Sequence, residues 1–245
     1  MRLPTIGLLL ILASNAWAGS AHPNLVAWYR AENNALDSSG QGYHGTATNV
    51  TWASGRVGRA ASVAANGRIN VEPVLSFAGG GVAISAWVNL SEVRSERQSI
   101  VYGEADSLTS RANLSFVVFE SNRKLEIGYR ATVESGGSTF QLWQTADDVL
   151  STNTWHHVVG QITYGVPNSA QIWVDGVLRS GSYRLGDGAG STPNTADIFW
   201  IGNQPAFAST RYFLGMIDEV MIFNAVLHPS DIRRVMQGKQ PLYRY

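Results

Sequence analysis

The 245-residue sequence contains no cysteine, and Lys+Arg and Asp+Glu number 18 each. The first absence excludes disulfides and thiol chemistry. A chain of this size buries about 70% of its unfolded surface and needs no staples to hold it. Among exported proteins, freedom from cysteine is commoner in bacteria than in animals. The charge balance gives no overall field toward nucleic acid or an anionic membrane, although a basic patch can sit inside a neutral total. Past the first residues, no stretch approaches the roughly 20 uninterrupted apolar residues that cross a bilayer, so no membrane insertion is expected. Signatures of catalysis are missing too: there is no Ser-x-x-Lys, Gly-x-Ser-x-Gly, His-Glu-x-x-His or phosphate-binding glycine loop.

The chain begins with a targeting pattern. Met1-Arg2 is a short basic start, Ile6 to Ala13 is apolar, and Ala16-Trp17-Ala18 reads as a small-x-small cleavage site. The expectation is a signal peptide over residues 1–18, then one domain over 19–245, secreted or periplasmic. Three Asn-x-Ser/Thr triplets, at Asn49, Asn89 and Asn113, matter only in a host that glycosylates.

Short runs rich in β-branched and aromatic residues alternate with turn clusters almost to the end. In Val82–Asn89, residues Val82, Ile84, Ala86 and Val88 share one face, and Ala83, Ser85, Trp87 and Asn89 the other. Gln171-Ile172-Trp173-Val174 runs into Asp175-Gly176, a dipeptide that accepts the positive φ of a tight hairpin. Near the end, His228 to Gly238 reads as a short helix, with Pro229 at its first position, Asp231 in its first turn and Gly238 as the stop. Four long connections, 103–111, 131–138, 180–197 and 203–211, are candidate binding loops.

Five ordered segments carry a family resemblance: Leu25-Val26-Ala27-Trp28-Tyr29 with Asp37 to Thr46, Ile84 to Val88, Thr154 to Val159, Gln171 to Val177, and Phe213 to Asn224. Together they resemble the laminin-G-like jelly-roll family of the concanavalin A-like lectin/glucanase superfamily. The resemblance implies an all-β fold: a two-sheet antiparallel β-sandwich, or jelly roll, with a short C-terminal helix. It also implies a structural calcium where the first and last strands meet, with Glu32, Asp37 and Asp218 as ligands. From the residues themselves, Asp218 shares a strand face with Val220 and Ile222, so it points inward if they do. An inward carboxylate needs a metal, a base or several amide donors. The other reading is that Asp37 closes an Asx-turn and Asp218 accepts from local backbone.

Superfamily members that hydrolyse β-glucans carry a Glu-x-Asp-x-x-Glu run; here Glu104-Ala105-Asp106 is followed by Thr109 where the second Glu belongs. Asp147-Asp148 and Asp218-Glu219 are adjacent pairs, and neighbours on a strand diverge. His156 and His157 diverge likewise, and the resemblance makes them part of the family's strand motif, with a structural role. Aromatic faces suit sugars, and Tyr129, Arg130, Trp143, Trp200 and Arg211 form the candidate groove. The expected function is a secreted, non-catalytic module that binds an extracellular glycan or glycoprotein. The alternatives are a glycoside hydrolase or polysaccharide lyase of the same superfamily, or a protein-binding adhesive or structural domain.

Overall fold

The computed structural model describes residues 22–71, 79–104, 112–132, 138–191, 198–204 and 207–241. The predicted signal peptide lies outside these residues, as do Ala105, Asp106 and most of the connections 103–111 and 131–138. Five strands come first: β1 (Leu25–Tyr29), β2 (Gly45–Ser54), β3 (Arg59–Val71), β4 (Gly81–Leu90) and β5 (Gln98–Glu104). The middle holds β6 (Ala112–Val118), β7 (Leu125–Thr132), β8 (Ser138–Thr145) and β9 (Trp155–Thr163). Then follow β10 (Gln171–Val174), β11 (Val177–Leu178), β12 (Gly181–Leu185), β13 (Ile198–Ile201) and β14 (Gly215–Phe223). One helix, α1 (Pro229–Val235), closes the chain.

All strand pairings are antiparallel, and hydrogen bonds run in the order β11-β10-β9-β4-β14-β3-β13-β5-β6-β7-β8-β12, with β1 on β14 and β2 on β3. Strand β3 makes the corner. Its Ala61–Val63 half pairs with β14, and its Ile69–Val71 half pairs with β13. The path therefore folds into two stacked layers: a first layer from β11 to β14, and a second from β13 to β12. Gly160 marks their contact, since a Cβ there would stand 2.7 Å from Ile127 Cδ1 and 2.9 Å from Phe116 Cε2. The two-layer antiparallel jelly roll expected from the sequence is the fold observed.

Alternation explains the core. Val82, Ile84, Ala86 and Val88 lie between the layers with Phe116, Ile127, Tyr129, Val158 and Ile162. The opposite face of β4 is not open. Ala83 packs with Val159, Met221 and Phe223 beneath Leu227, Ile232 and Val235 of the C-terminal segment. The helix starts as expected, with His228 capping it, Pro229 in its first turn and Asp231 near its positive end. Gly238 has φ +65° beyond its end. In the Asp175-Gly176 turn both residues adopt positive φ, +53° and +76°, which joins β10 to β11 in a two-residue hairpin.

Two elements were not expected. Strand β2 is polar and largely exposed, Gly-Thr-Ala-Thr-Asn-Val-Thr-Trp-Ala-Ser, so it lacks an apolar alternation. It forms because one whole edge of β3 is available to pair with it. The predicted connection 180–197 contains β12, which extends the second layer along β8. Of the three triplets, Asn49 is exposed but Asn89 and Asn113 are buried, so neither of the latter offers a glycosylation site.

Candidate functional site

Two polar constellations stand out, one on the outer face of each layer. On the first, strand β14 carries a bulge between Asp218 and Met221, with Glu219 at φ +50°. The extra residue breaks the alternation. Asp218 pairs with Trp87 and so shares the outer face, while Val220 and Ile222 remain in the core. This corrects the inward placement expected for Asp218 and the divergence expected of Asp218-Glu219.

Both carboxylates are shut away, 0% and 1% exposed. Asp218 Oδ2 accepts the backbone N–H groups of Arg56 and Val57, each at 2.9 Å. Burial pushes its carboxyl up to about 7, opposed by those two bonds and reinforced by the charge of Glu219. Burial also raises Glu219, whose Oε2 accepts from Trp28 Nε1. Nearby, His157 Nε2 lies 2.9 Å from Ser85 Oγ, and desolvation lowers that imidazole to about 3. His156 is separate: its Nδ1 meets Asp175 Oδ2 at 2.7 Å and its Nε2 accepts from Ser151 N–H. His156 thus braces the turn at Asp175, and both histidines lie on β9, the strand expected for them.

The predicted metal ligands do not form one donor set. Asp37 Oδ1 accepts from the N–H of Trp28 and Ser39, and Oδ2 from Ser39 Oγ and Tyr43 N–H, at 2.7–3.0 Å. A carboxylate ringed by four donors has its lone pairs engaged and presents no free oxygen to a cation. Glu32 instead caps the Arg59 N–H at 3.2 Å. Among the described residues, no group of three or more His, Asp or Glu side chains is placed to hold a metal ion.

The second constellation occupies the outer face of the second layer. Register places Trp200, Tyr102, Ser115, Gly128, Leu142 and Leu185 in one row across β13, β5, β6, β7, β8 and β12. Gly128 is required in that row, because a Cβ there would stand 2.3 Å from Leu142 Cδ2 and 2.6 Å from the Gln141 carbonyl oxygen. The adjoining row carries Glu126, 0% exposed, between Arg184 Nε at 2.8 Å and Arg97 Nη1 at 3.6 Å. A groove of about 300 Å³ runs here, lined by Arg97, Tyr102, Phe140, Arg184, Phe207 and Arg211. Tyr102 keeps its proton, since burial and the charge of Glu104 raise its hydroxyl, and Gln204 Nε2 donates to it at 2.9 Å.

Guanidinium groups cover the aromatic faces around this groove. Arg211 lies 4.0 Å above Phe207, Arg68 4.7 Å above Trp200, and Arg130 5.9 Å from Phe140. Arg97 and Arg184 flank Phe119 at 5.0 and 5.3 Å. Of the five residues expected to line a groove, Arg130, Trp200 and Arg211 therefore lie on or beside this face, whereas Tyr129 and Trp143 do not. Tyr129 shares the inner face with Ile127 and Ala131, and its hydroxyl donates to the Gly190 and Gly188 carbonyls. Trp143 pairs with Ile127 and packs into the same core. Counting alternate residues from Ile127 separates the two groups. Arg97, Arg184 and Glu126 were missed because Arg97 precedes β5 while Glu126 and Arg184 lie on β7 and β12, and these elements meet only through the sheet order.

Of the carboxylates on this face, Glu104 and Glu126 do not make the pair that the catalytic alternative needs, whereas Glu120 and Glu126 both meet Arg97, at 3.1 and 3.6 Å. From the strand spacing of about 4.8 Å and a rise of about 3.4 Å per residue, the Cα atoms of Glu104 and Glu126 lie roughly 19 Å apart. Two carboxyl groups that flank a glycosidic bond stand about 5–9.5 Å apart.

Comparison with known proteins agrees with the fold. The chain is similar to domain 4 of an extracellular arabinanase of Geobacillus stearothermophilus, solved with arabinotriose, at 18% identity and TM-score 0.56, covering 86% of this chain and 98% of that one. It is similar to the binding domain of Paraclostridial Mosquitocidal Protein 1, at 14% identity and TM-score 0.59, and it covers 88% of this chain but only 52% of that one. A Trypanosoma rangeli sialidase matches at 17% identity and TM-score 0.59, over 86% of this chain and 32% of that one. Among curated proteins, none matches. No helix among the described residues is long and apolar enough to cross a membrane. Residues 63–233 match the laminin-G-type family described as the concanavalin A-like lectin/glucanases superfamily, and the chain belongs to that family.

Proposed function

We propose that the protein is a non-catalytic carbohydrate-binding module, exported to the secreted or periplasmic space, and that its binding site is the groove on the outer face of the second layer. One observation carries the reading. This face presents an open groove of about 300 Å³ with arginine, tyrosine, glutamine and serine donors, at the lower end of the usual range for ligand clefts. The fold shared with an arabinanase domain solved with arabinotriose supports a glycan or glycoprotein as the partner. The buried Asp218 and Glu219 lie on the other layer, beside residues 56 and 57 and Gly238 of the C-terminal segment, out of reach of a polysaccharide.

A glycan array, followed by calorimetry on the best binders, tests the reading. Binding without release of reducing sugar is expected; turnover of any bound polysaccharide would assign the chain to the hydrolases or lyases instead. The calcium implied by family resemblance stands as a separate proposal. It would have to draw on ligands other than the four-fold bonded Asp37 carboxylate. A ligand of the folded state raises the melting temperature by mass action. A fall in melting temperature in excess chelator supports the ion, and an unchanged curve after verified metal removal eliminates it.

A further inference from the structure

The geometry points to a narrower ligand class: we infer that the groove selects sugars bearing a carboxylate, with Glu96 and Glu120 standing in for that carboxylate when no ligand is bound. This rests on the proposed binding function and specifies it. Neutral sugars are gripped mainly by bare aromatic faces. Here Phe207, which lines the groove, lies under Arg211, and two rings beside the groove carry guanidinium groups as well: Trp200 under Arg68, and Phe119 beside both Arg97 and Arg184. A guanidinium held beside a ring still has its five N–H donors in one plane, where they meet a carboxylate as a fork.

Glu126 explains why two such groups sit together. Wholly buried, it draws Arg184 to 2.8 Å and Arg97 to 3.6 Å, and its one negative charge does not neutralise both. It lies beneath the groove as a fixed support. Two other carboxylates differ in kind. Glu120 meets Arg97 at 3.1 Å and Glu96 meets Arg211 at 3.5 Å, and their side chains are 40% and 44% exposed. Exposed ion pairs of this sort hold weakly. A ligand carboxylate that meets Arg97 or Arg211 replaces a rim glutamate with a group of the same shape and charge. The fit to carboxylate, rather than to the larger sulfate, is the fit these glutamates already display.

The experiment measures affinity by calorimetry for four probes at matched size: an oligouronate, a sulfated oligosaccharide, a neutral arabino-oligosaccharide and an oligoglutamate peptide. The expected result is a clear preference for the oligouronate that weakens with salt. Arg211→Ala, at a partly buried position after the 207–210 turn, should reduce that affinity by about tenfold or more, the value of one charge-assisted bond. The double variant Glu96→Gln/Glu120→Gln should raise it by roughly threefold, because it removes the internal competitors. That gain cannot come from a misfolded protein. Equal affinity for the neutral sugar, preference for the sulfated sugar or the peptide, or a loss with the double variant would each overturn the inference. If the neutral sugar binds, the carbohydrate-binding reading survives the failure; if no sugar binds, that reading falls with it.

Discussion

The outer faces of the two layers start from the same architecture and end in opposite states. On the first, Leu227, Ile232 and Val235 lie over Ala83, Val159, Met221 and Phe223. Beside them Asp218, Glu219 and His157 are sealed in, their ionisation shifted toward the neutral forms. On the second, no segment among the described residues covers the groove, and the buried Glu126 meets two arginines whose side chains reach solvent. A sheet face closed by its own chain shifts its ionisable groups toward their neutral forms. A face left open pairs its carboxylates with arginines that reach solvent. The lesson is that burial of a carboxylate by itself does not mark a binding site; its partners and their exposure do.

Four experiments would break or sharpen this contrast. The largest effect is expected at the helix cap of the first face. Ile232→Ala removes a fully buried side chain and should cost about 3 kcal/mol in urea denaturation. A loss under 1 kcal/mol would mean that the C-terminal segment does not seal the face.

The second experiment is a pH titration of stability. His157 has a folded value of about 3 against 6.5 when unfolded, so protonation favours the unfolded chain, and its contribution is lost as pH falls below 6.5. At roughly 1.4 kcal/mol per unit, that is about 2 kcal/mol between pH 7 and pH 5. Asp218, raised from 3.8 to about 7, acts with the opposite sign: its contribution is present at low pH and is lost as pH rises toward 7, again by about 2 kcal/mol over that window. The two nearly cancel in the wild type, with Glu219 adding to the side of Asp218. Asp218→Asn should therefore expose a protein less stable at pH 5 than at pH 7, and His157→Gln the reverse. Parallel pH profiles for both variants would contradict the assignment.

Third, Glu126→Gln should cost about 1–2 kcal/mol, less than the 3–5 kcal/mol typical of a broken buried pair, because the arginines left behind are partly solvated. A larger loss would make the second face as closed as the first. Smallest of all, Phe207→Ser at the groove rim, 40% exposed, should change stability by no more than about 0.5 kcal/mol while altering ligand affinity.

Much of this could be read in advance. The alternation of Val82 to Asn89 placed both faces of β4, and Asp175-Gly176 announced its hairpin, because both signals are local to a few residues. Strand β2 was not legible, since a polar strand that forms only because β3 offers it an edge leaves no apolar period behind. The candidate site was legible only in part. Arg130, Trp200 and Arg211 were placed near it, but Tyr129 and Trp143 follow Ile127 into the core. Asp218 misled for a different reason: a bulge adds one residue, and one residue turns a side chain to the other face.

By itself, the order of residues determined that this chain builds antiparallel layers, where most strands run and how the last helix begins and ends. Apolar period, turn chemistry and capping act over a few residues, so a linear reading finds them. Only the tertiary structure decided which face the C-terminal segment covers, which carboxylates are shut away from water, and that Arg97, just before β5, meets Glu126 of β7 beside Arg184 of β12. Those outcomes depend on desolvation and on strand neighbours distant in the chain, and both arise only when the layers close.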